Sequence, residues 1–212
     1  MTKSALIKNL VLNQIDEVIG LNRILVIGVE TKSSEIVSWA ESELNGYKYG
    51  DIIPTYRKYE LGTFIYSGMK DNIVITNASL QPEIIDDRIL EIIKGKCFIA
   101  DGASSIKRQI ENSAGLIYRD LPELIGYVYH KIGVQCTSIK MQMPDTILSK
   151  SLSGMRTSLI KALVKLEAVY GSLDNFDIDY NKSLKQTEEV TREVTGILYC
   201  NDNVFEHGEA NG

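Results

Sequence analysis

The sequence contains little cysteine, no surplus of positive charge and no long apolar run. Its three cysteines, Cys97, Cys136 and Cys200, lie far apart and form no CxxC pair. This spacing argues against a zinc site and favours a reducing cytoplasm. The formal net charge is -5 and no basic cluster is present. Nucleic acid is therefore not expected as a main partner, because neutralising phosphates requires a dense surface of Lys and Arg.

No segment predicts a membrane partner. Apolar residues recur at helical spacing over residues 1–22, but charges such as Lys8 and Asp16 interrupt them. The stretch is too polar for the core of a signal peptide and too short to span a bilayer. We therefore expect an N-terminal amphipathic helix over residues 1–22 that packs on a sheet.

The apolar run Arg23–Val29 is the most informative stretch of the chain. It is apolar on both faces, which is typical of a buried strand in a parallel sheet. A helix over residues 35–44 follows, and Ser33 or Ser34 can cap it. A strand, a turn at Gly28 and a helix N-terminus together form the first unit of a Rossmann-type fold.

Further predicted strands and helices alternate along the chain. The strands are placed at 49–55, 63–67, 72–76, 96–100 and 115–118, and the helices at 81–94, 104–113 and 122–129. This order predicts an α/β protein with a Rossmann-like, doubly wound and mainly parallel sheet. We expect residues 23–135 to form a nucleoside-binding domain and residues 136–212 a mostly helical segment for dimerisation or substrate binding.

The C-terminal segment contains a possible strand at 134–140 and one long predicted helix, residues 149–170. Its apolar stripe from Met155 to Tyr170 is either core or the seam of a homodimer. Residues 187–198 have a weaker pattern that fits a helix or a strand.

The loop after the first predicted strand is the leading candidate for a cofactor site. It contains Gly28, Val29, Glu30 and Thr31 but lacks the G-x-G-x-x-G pattern of pyrophosphate binders. A ligand without a pyrophosphate, such as S-adenosylmethionine, does not need all of these glycines. The alternative is an ordinary turn between a strand and a helix.

The end of the second predicted strand offers a rival cofactor. Thr55 lies where a Rossmann protein often places a ribose contact, and Arg57 could hold the 2′-phosphate of NADP. A solvated charge is the alternative explanation for Arg57.

Small polar residues follow two later predicted strands and could line the same cofactor. They are Asn77, Ala78 and Ser79 after one strand and Asp101, Gly102 and Ala103 after the other. Asp101 and His130 are the candidate catalytic bases. Helix capping by Ser79 and Ser104 and a surface position for His130 are the alternatives.

A polar turn before the long helix is the candidate substrate site. We expect Lys150, Ser153, Gly154 and Met155 to contact the substrate there. No cluster of side chains suggests a metal ion.

Two resemblances extend these expectations. The strand ends and their loops resemble the dinucleotide domain of glutamyl-tRNA reductases and shikimate dehydrogenases, through Asn72–Ser79, Ile99–Gly102 and Gly115–Asp120. Over about residues 23–175, the chain also resembles the S-adenosylmethionine-dependent methyltransferase of Fe-hydrogenase guanylylpyridinol cofactor biosynthesis. The matching pieces are Val26–Val29, Gln81–Glu83, Phe98–Asp101, Lys131–Val134, Ser149–Met155 and Ser172–Asp174.

The second resemblance implies a homodimeric C-methyltransferase that acts on a small aromatic heterocycle of the pyridinol type. Methyl transfer requires alignment of the nucleophile, the methyl group and the sulfur, so catalysis would be mainly positioning. An NADP-dependent oxidoreductase that uses Arg57 is the rival hypothesis. A Rossmann-fold binding protein without catalytic activity is the third.

Overall fold

The computed structural model describes residues 3–48, 50–174 and 184–199. In chain order, the helices in these ranges are α1 (Ala5–Val11), α2 (Glu17–Glu30), α3 (Ser34–Asn45), α4 (Asp87–Lys94), α5 (Ala103–Asn112), α6 (Ile125–Ile132), α7 (Thr146–Tyr170) and α8 (Leu184–Tyr199). The strands are β1 (Thr63–Lys70), β2 (Ile73–Leu80), β3 (Leu116–Asp120) and β4 (Gln135–Pro144). Short 3-10 turns cover Thr55–Arg57, Pro82–Ile84 and Pro122–Leu124.

The chain divides into two compact units, and neither is continuous in sequence. Unit 1 contains the residues up to Lys58, the segment Ile99–Gln109 and the residues from Lys150 onward. Unit 2 contains Tyr59–Phe98 and Ile110–Ser149.

The predicted parallel, doubly wound sheet is wrong. The strands form one four-stranded sheet in the order β2-β1-β4-β3, and all of its pairings are antiparallel. Asp71 and Asn72 join β1 to β2, and both have a positive φ, +49° and +67°. Two such residues form the tight turn that favours a hairpin, whereas a parallel pair would need a long crossover.

The first predicted strand, residues 23–29, is also wrong, because it lies inside α2. The Asp16 carboxylate accepts the Val18 N–H at 2.8 Å and begins this helix. One face of α2 buries Leu21, Ile24 and Ile27, while Val29 on another face is 59% exposed. Because the outer face of α2 also carries apolar side chains, the segment looked apolar on both faces, as a buried strand does.

The structure differs from two other predicted strands and from the single N-terminal helix predicted over 1–22, which is divided into α1 and the start of α2. It confirms several other elements. Residues 50–55 and 96–100 form no strand, and Tyr49 lies outside the described residues. The helix after Ser33 is confirmed, since the Ile36 N–H donates to the Ser33 hydroxyl at 3.3 Å. The predicted positions of β1, β2, β3, β4, α5 and α7 agree with the structure to within a few residues, and residues 187–198, predicted as a helix or a strand, lie in α8.

Unit 1 is a helical body with its own apolar core. The α7 stripe from Met155 through Leu159 and Leu163 to Leu166 is buried there, so it is core rather than a seam. Leu21, Ile24 and Trp39 belong to the same cluster. A Cβ at Gly28 would lie 3.0 Å from Ile36 Cγ2, so glycine lets α2 and α3 pack closely.

Unit 2 builds a second core on one face of its sheet. Phe64, Met141 and Met143 lie in this core together with Ile93 of α4 and Val128 of α6. No helix in the described ranges combines the length and the apolar content needed to cross a bilayer.

β2 carries one residue more than β1 between two of their paired positions, Tyr66 with Ala78 and Gly68 with Ile75. This is a β-bulge, and Asn77 within it has a φ of +48°. The Ser67 hydroxyl accepts the Asn77 N–H at 3.0 Å, which gives the displaced backbone group a partner.

Candidate functional site

The most unusual group of side chains in unit 1 is a polar cluster inside its helical body. We name it the Glu43–Arg57 cluster, and its members are Trp39, Glu43, Tyr47, Tyr56 and Arg57. The side chains of Glu43 and Arg57 are 0% exposed. α3 presents Trp39 and Glu43 one turn apart, on the same face that buries Ile36 and Ala40.

One carboxylate organises the cluster. Glu43 Oε1 accepts the hydroxyls of Tyr47 at 2.6 Å and Tyr56 at 2.7 Å, and Arg57 Nε lies 3.4 Å from it. The other oxygen, Oε2, forms the ion pair with Arg57 Nη2. Trp39 Nε1 donates to the Tyr56 hydroxyl at 2.9 Å. Charge and hydrogen bonding thus satisfy the carboxylate, as burial of an ionised group requires.

The two tyrosines remain protonated donors in this environment. Burial, reinforced by the Glu43 carboxylate, raises the pKa of Tyr47 far above its ordinary value. The same two causes raise the pKa of Tyr56. The Arg57 guanidinium also lies 5.3 Å from the centre of the Tyr47 ring, within the range of a cation–π contact. The cluster is therefore a closed hydrogen-bond network and holds no free base in contact with solvent.

The cluster also binds the backbone of a distant segment. Arg57 Nη1 donates to the Asp101 carbonyl at 2.8 Å, and the Ile99 N–H donates to the Arg57 carbonyl at 2.9 Å. The Tyr47 N–H donates to the Ala100 carbonyl at 2.7 Å. A Cβ at Gly102 would lie 2.3 Å from the Leu44 carbonyl oxygen, so this approach requires glycine.

The predicted role of Arg57 in binding a 2′-phosphate does not fit this position, because its guanidinium is fully buried and paired. The sequence does contain a signal for the pair. Glu43 falls on the apolar face of α3, seven residues after Ile36 and three after Ala40. An acid at such a position requires a buried partner.

The residues predicted to form the first cofactor loop belong to α2 and its C-terminus. Gly28 is buried in the contact with α3, and Val29 and Glu30 are exposed in the last turn. Thr31 caps the helix, and its hydroxyl donates to the Ile27 carbonyl at 2.8 Å. Thr55 begins a 3-10 turn and is exposed.

The other predicted cofactor and catalytic residues are divided between the units. Asn77, Ala78 and Ser79 lie in β2 and His130 is exposed on α6, so they belong to unit 2. Asp101, Gly102 and Ala103 belong to unit 1, where they lead into and begin α5. The exposed Asp101 carboxylate accepts a hydrogen bond from Gln109 at 3.0 Å. A ligand role for these residues stays a prediction.

The predicted substrate residues lie within α7 rather than in a turn before it. Lys150 and Ser153 are exposed, whereas Met155 is buried in the core of unit 1. Gly154 lies against the Glu43–Arg57 cluster, because a Cβ there would be 2.3 Å from Tyr56 Cβ. Besides Arg57, which is a member of the cluster, Gly154 and Asp101 are thus predicted site residues that the structure brings to it.

Comparison with protein families gives a match. The model of a protein family described as AbiTii matches residues 5–190 of the chain. No curated protein and no solved structure matches. The resemblances to the methyltransferase and to the dinucleotide-binding dehydrogenases are therefore wrong, as are the functions inferred from them.

Proposed function

The chain belongs to the AbiTii family, and on that premise we propose that it acts in abortive infection. In this response, a bacterium infected by phage stops growing before the phage can spread. The protein would be a toxin-like effector, whose activity harms the cell that makes it. This proposal replaces both the methyltransferase and the oxidoreductase hypotheses.

One observation supports the proposal, the extent of the family match. Residues 5–190 include segments of both units and the whole Glu43–Arg57 cluster. We therefore expect the effect on growth to depend on the full chain rather than on one short motif.

We propose the cytoplasm as the place of action. Cys97 and Cys136 are free, and burial raises the pKa of the Cys97 thiol, which disfavours the reactive thiolate. Cys200 lies outside the described residues. Unpaired thiols suit a reducing compartment, and an effector of abortive infection would meet its target inside the infected cell.

The expected partners remain proposals. The net charge of -5 continues to favour a partner other than nucleic acid. A homodimer would be recognised by its mass in light scattering after gel filtration. Binding of S-adenosylmethionine or NADP stays a prediction, which a thermal-shift measurement with S-adenosylhomocysteine and NADPH would test.

Expression in a phage-sensitive bacterium tests the proposed function. The gene is placed under an inducible promoter, and a matched plasmid carries an early stop codon. We expect induction to arrest growth or to lower phage plating at least tenfold for some members of a phage panel. If immunoblots show the protein and neither effect occurs with any phage, the proposal is refuted.

A further inference from the structure

The Glu43–Arg57 cluster lies where the chain leaves unit 1 and returns to it. Arg57 is two residues before Tyr59, where unit 2 begins. Ile99 is the first residue after Tyr59–Phe98, the first segment of unit 2. The hydrogen bond from the Ile99 N–H to the Arg57 carbonyl directly joins the segment that leaves unit 1 to the segment that returns to it. Arg57 Nη1 adds a second bond, to the carbonyl of Asp101.

We propose that the Glu43–Arg57 pair acts as a lock, which holds residues 55–57 and 99–102 in one backbone conformation. Its contribution would be conformational specificity rather than stability. The proposal does not depend on the role in abortive infection.

The energetics of buried charge support this distinction. Removing both charges from water is expensive, and well-packed apolar residues of similar volume often leave a protein as stable or more stable. An apolar pair could fill the space between α3 and the 3-10 turn at Thr55–Arg57. It could not donate to the Asp101 carbonyl or accept the hydroxyls of Tyr47 and Tyr56.

The geometry of the neighbouring backbone supports the same conclusion. The Tyr47 N–H bonds to Ala100, and Gly102 packs against the Leu44 carbonyl. Three backbone segments thus meet at the Glu43–Arg57 pair, and they are residues 44–47, 55–57 and 99–102. Buried backbone groups need partners, so a change in this backbone conformation would leave several of them unsatisfied.

Hydrogen exchange on the purified full chain tests the lock. The variants are the double replacement Glu43→Leu with Arg57→Met, and Arg57→Lys, which keeps the charge but loses the planar fork. Lys107→Met is the control, because it removes ion pairs with Asp16 and Glu17 elsewhere in unit 1. The reporting amides are those of Tyr47 and Ile99, and the amide of Leu163 in α7 is the reference.

We expect the double variant to unfold at a higher urea concentration than the single variant Arg57→Met, because it leaves no unpaired buried charge, although the Tyr47 and Tyr56 hydroxyls lose their acceptor. Relative to the Leu163 amide, the double variant's Tyr47 and Ile99 amides should exchange at least tenfold faster than in the wild type. Arg57→Lys should accelerate the same two amides, and Lys107→Met should not.

Two results would overturn the proposal. One is unchanged exchange of Tyr47 and Ile99 in a stable double variant or in Arg57→Lys. The other is a double variant that is no more stable than Arg57→Met alone or does not fold, because the pair would then be a source of stability. Since no phage is involved, these outcomes are separate from those of the plating assay.

Discussion

At the scale of single residues, burial decides what Arg57 can do. The same side chain in solvent could bind a phosphate, but here it is enclosed with Glu43. The sequence shows Arg57 next to Lys58, a pattern that is more often a solvated surface. Glu43 and Arg57 are fourteen residues apart, so their pairing depends on where α3 ends and where the 3-10 turn begins. No local sequence pattern predicts both positions.

Arg57→Met should destabilise the protein strongly when made alone. It leaves the Glu43 carboxylate buried without its cation, and breaking such a pair costs about 3–5 kcal/mol. Urea unfolding followed by the fluorescence of Trp39, the one tryptophan in the chain, measures this loss. Lys107→Met is the matched control and should cost less, about 1 kcal/mol, because Glu17 keeps its pair with Arg156 and the pair with Asp16 is partly exposed. A loss below that level for Arg57→Met would contradict the buried pair.

Gly154→Ala should also destabilise the protein, although alanine is the better helix former. Its methyl group would lie 2.3 Å from Tyr56 Cβ, and overpacking of this kind costs about 1–3 kcal/mol. Gly126→Ala is the comparison, because a Cβ at Gly126 in α6 meets no atom within 4 Å. That variant should gain about 0.5 kcal/mol. Equal melting temperatures for the two variants would argue against the contact with Tyr56.

At the scale of elements, one helix start was predicted from its cap and another was missed. Ser33 caps α3 as predicted, and Asp16 caps α2 by the same mechanism. The sequence analysis did not identify this second cap, from which the helical spacing of residues 17–22 continues to Glu30. A short apolar run cannot distinguish a buried strand from a helix by itself, because exposed Val26 and Val29 remove the polar face that marks a helix.

The N-terminus of α1 depends on a carboxylate that is distant in sequence. Asp174 accepts the Ala5 N–H at 3.0 Å and the Leu6 N–H at 3.1 Å. The bond from Ala5, joined by that from Leu6, lowers the pKa of Asp174 below its ordinary value of 3.8. Asp174→Ala should therefore cost about 1 kcal/mol at neutral pH, as loss of a helix cap does.

The pH dependence of that cost follows from the direction of the pKa shift. A carboxyl group with a lowered folded pKa contributes its full stability above its ordinary value, and loses it as the pH falls through the folded value. The difference in unfolding free energy between wild type and Asp174→Ala should thus be constant above about pH 5 and shrink below pH 3.8. Asp174→Asn, which keeps an acceptor that does not titrate, should lie between them at neutral pH. A difference that is independent of pH would exclude a role for the charge.

At the scale of the whole molecule, the sequence did not reveal how the chain is divided. It suggested one continuous central domain, whereas each unit is assembled from separate segments. Alternation of strands and helices indicates a parallel sheet only when each helix carries the chain back beside its strand. The two-residue turn at Asp71–Asn72 makes β1 and β2 a hairpin instead.

This division should make the stabilities of the two units depend on each other unequally. Unit 1 is interrupted by two segments of forty residues, and unit 2 by one of eleven. If unit 2 unfolds, unit 1 must close two long loops, each at about 3 kcal/mol, whereas unit 2 would close one short loop at about 2 kcal/mol. Defects in the core of unit 2 should therefore spread to unit 1 more than the reverse.

A pair of core replacements measures this asymmetry. Ile139→Ala in β4 and Leu163→Ala in α7 each remove a buried side chain, at about 2–5 kcal/mol. We expect Ile139→Ala to lower the urea midpoint of Trp39 fluorescence in unit 1. Leu163→Ala should accelerate exchange of the Phe64 amide in β1, but the change in unfolding free energy that this exchange reports for unit 2 should be smaller. An unchanged Trp39 transition in Ile139→Ala would show that the units unfold independently.

The bulge in β2 changes which residues of the strand face the inside of the sheet. Counting back from the buried Leu80 in steps of two assigns Ala78, Thr76 and Val74 to the inside of the sheet. The surplus residue at Asn77 moves the inside to odd numbers, so Ile75 is half-buried and Val74 is 76% exposed. A chain one residue shorter at Asn77 would restore strict alternation and still keep Ile75 inward and Val74 outward. Length variation at this one position would thus leave both faces of the sheet unchanged.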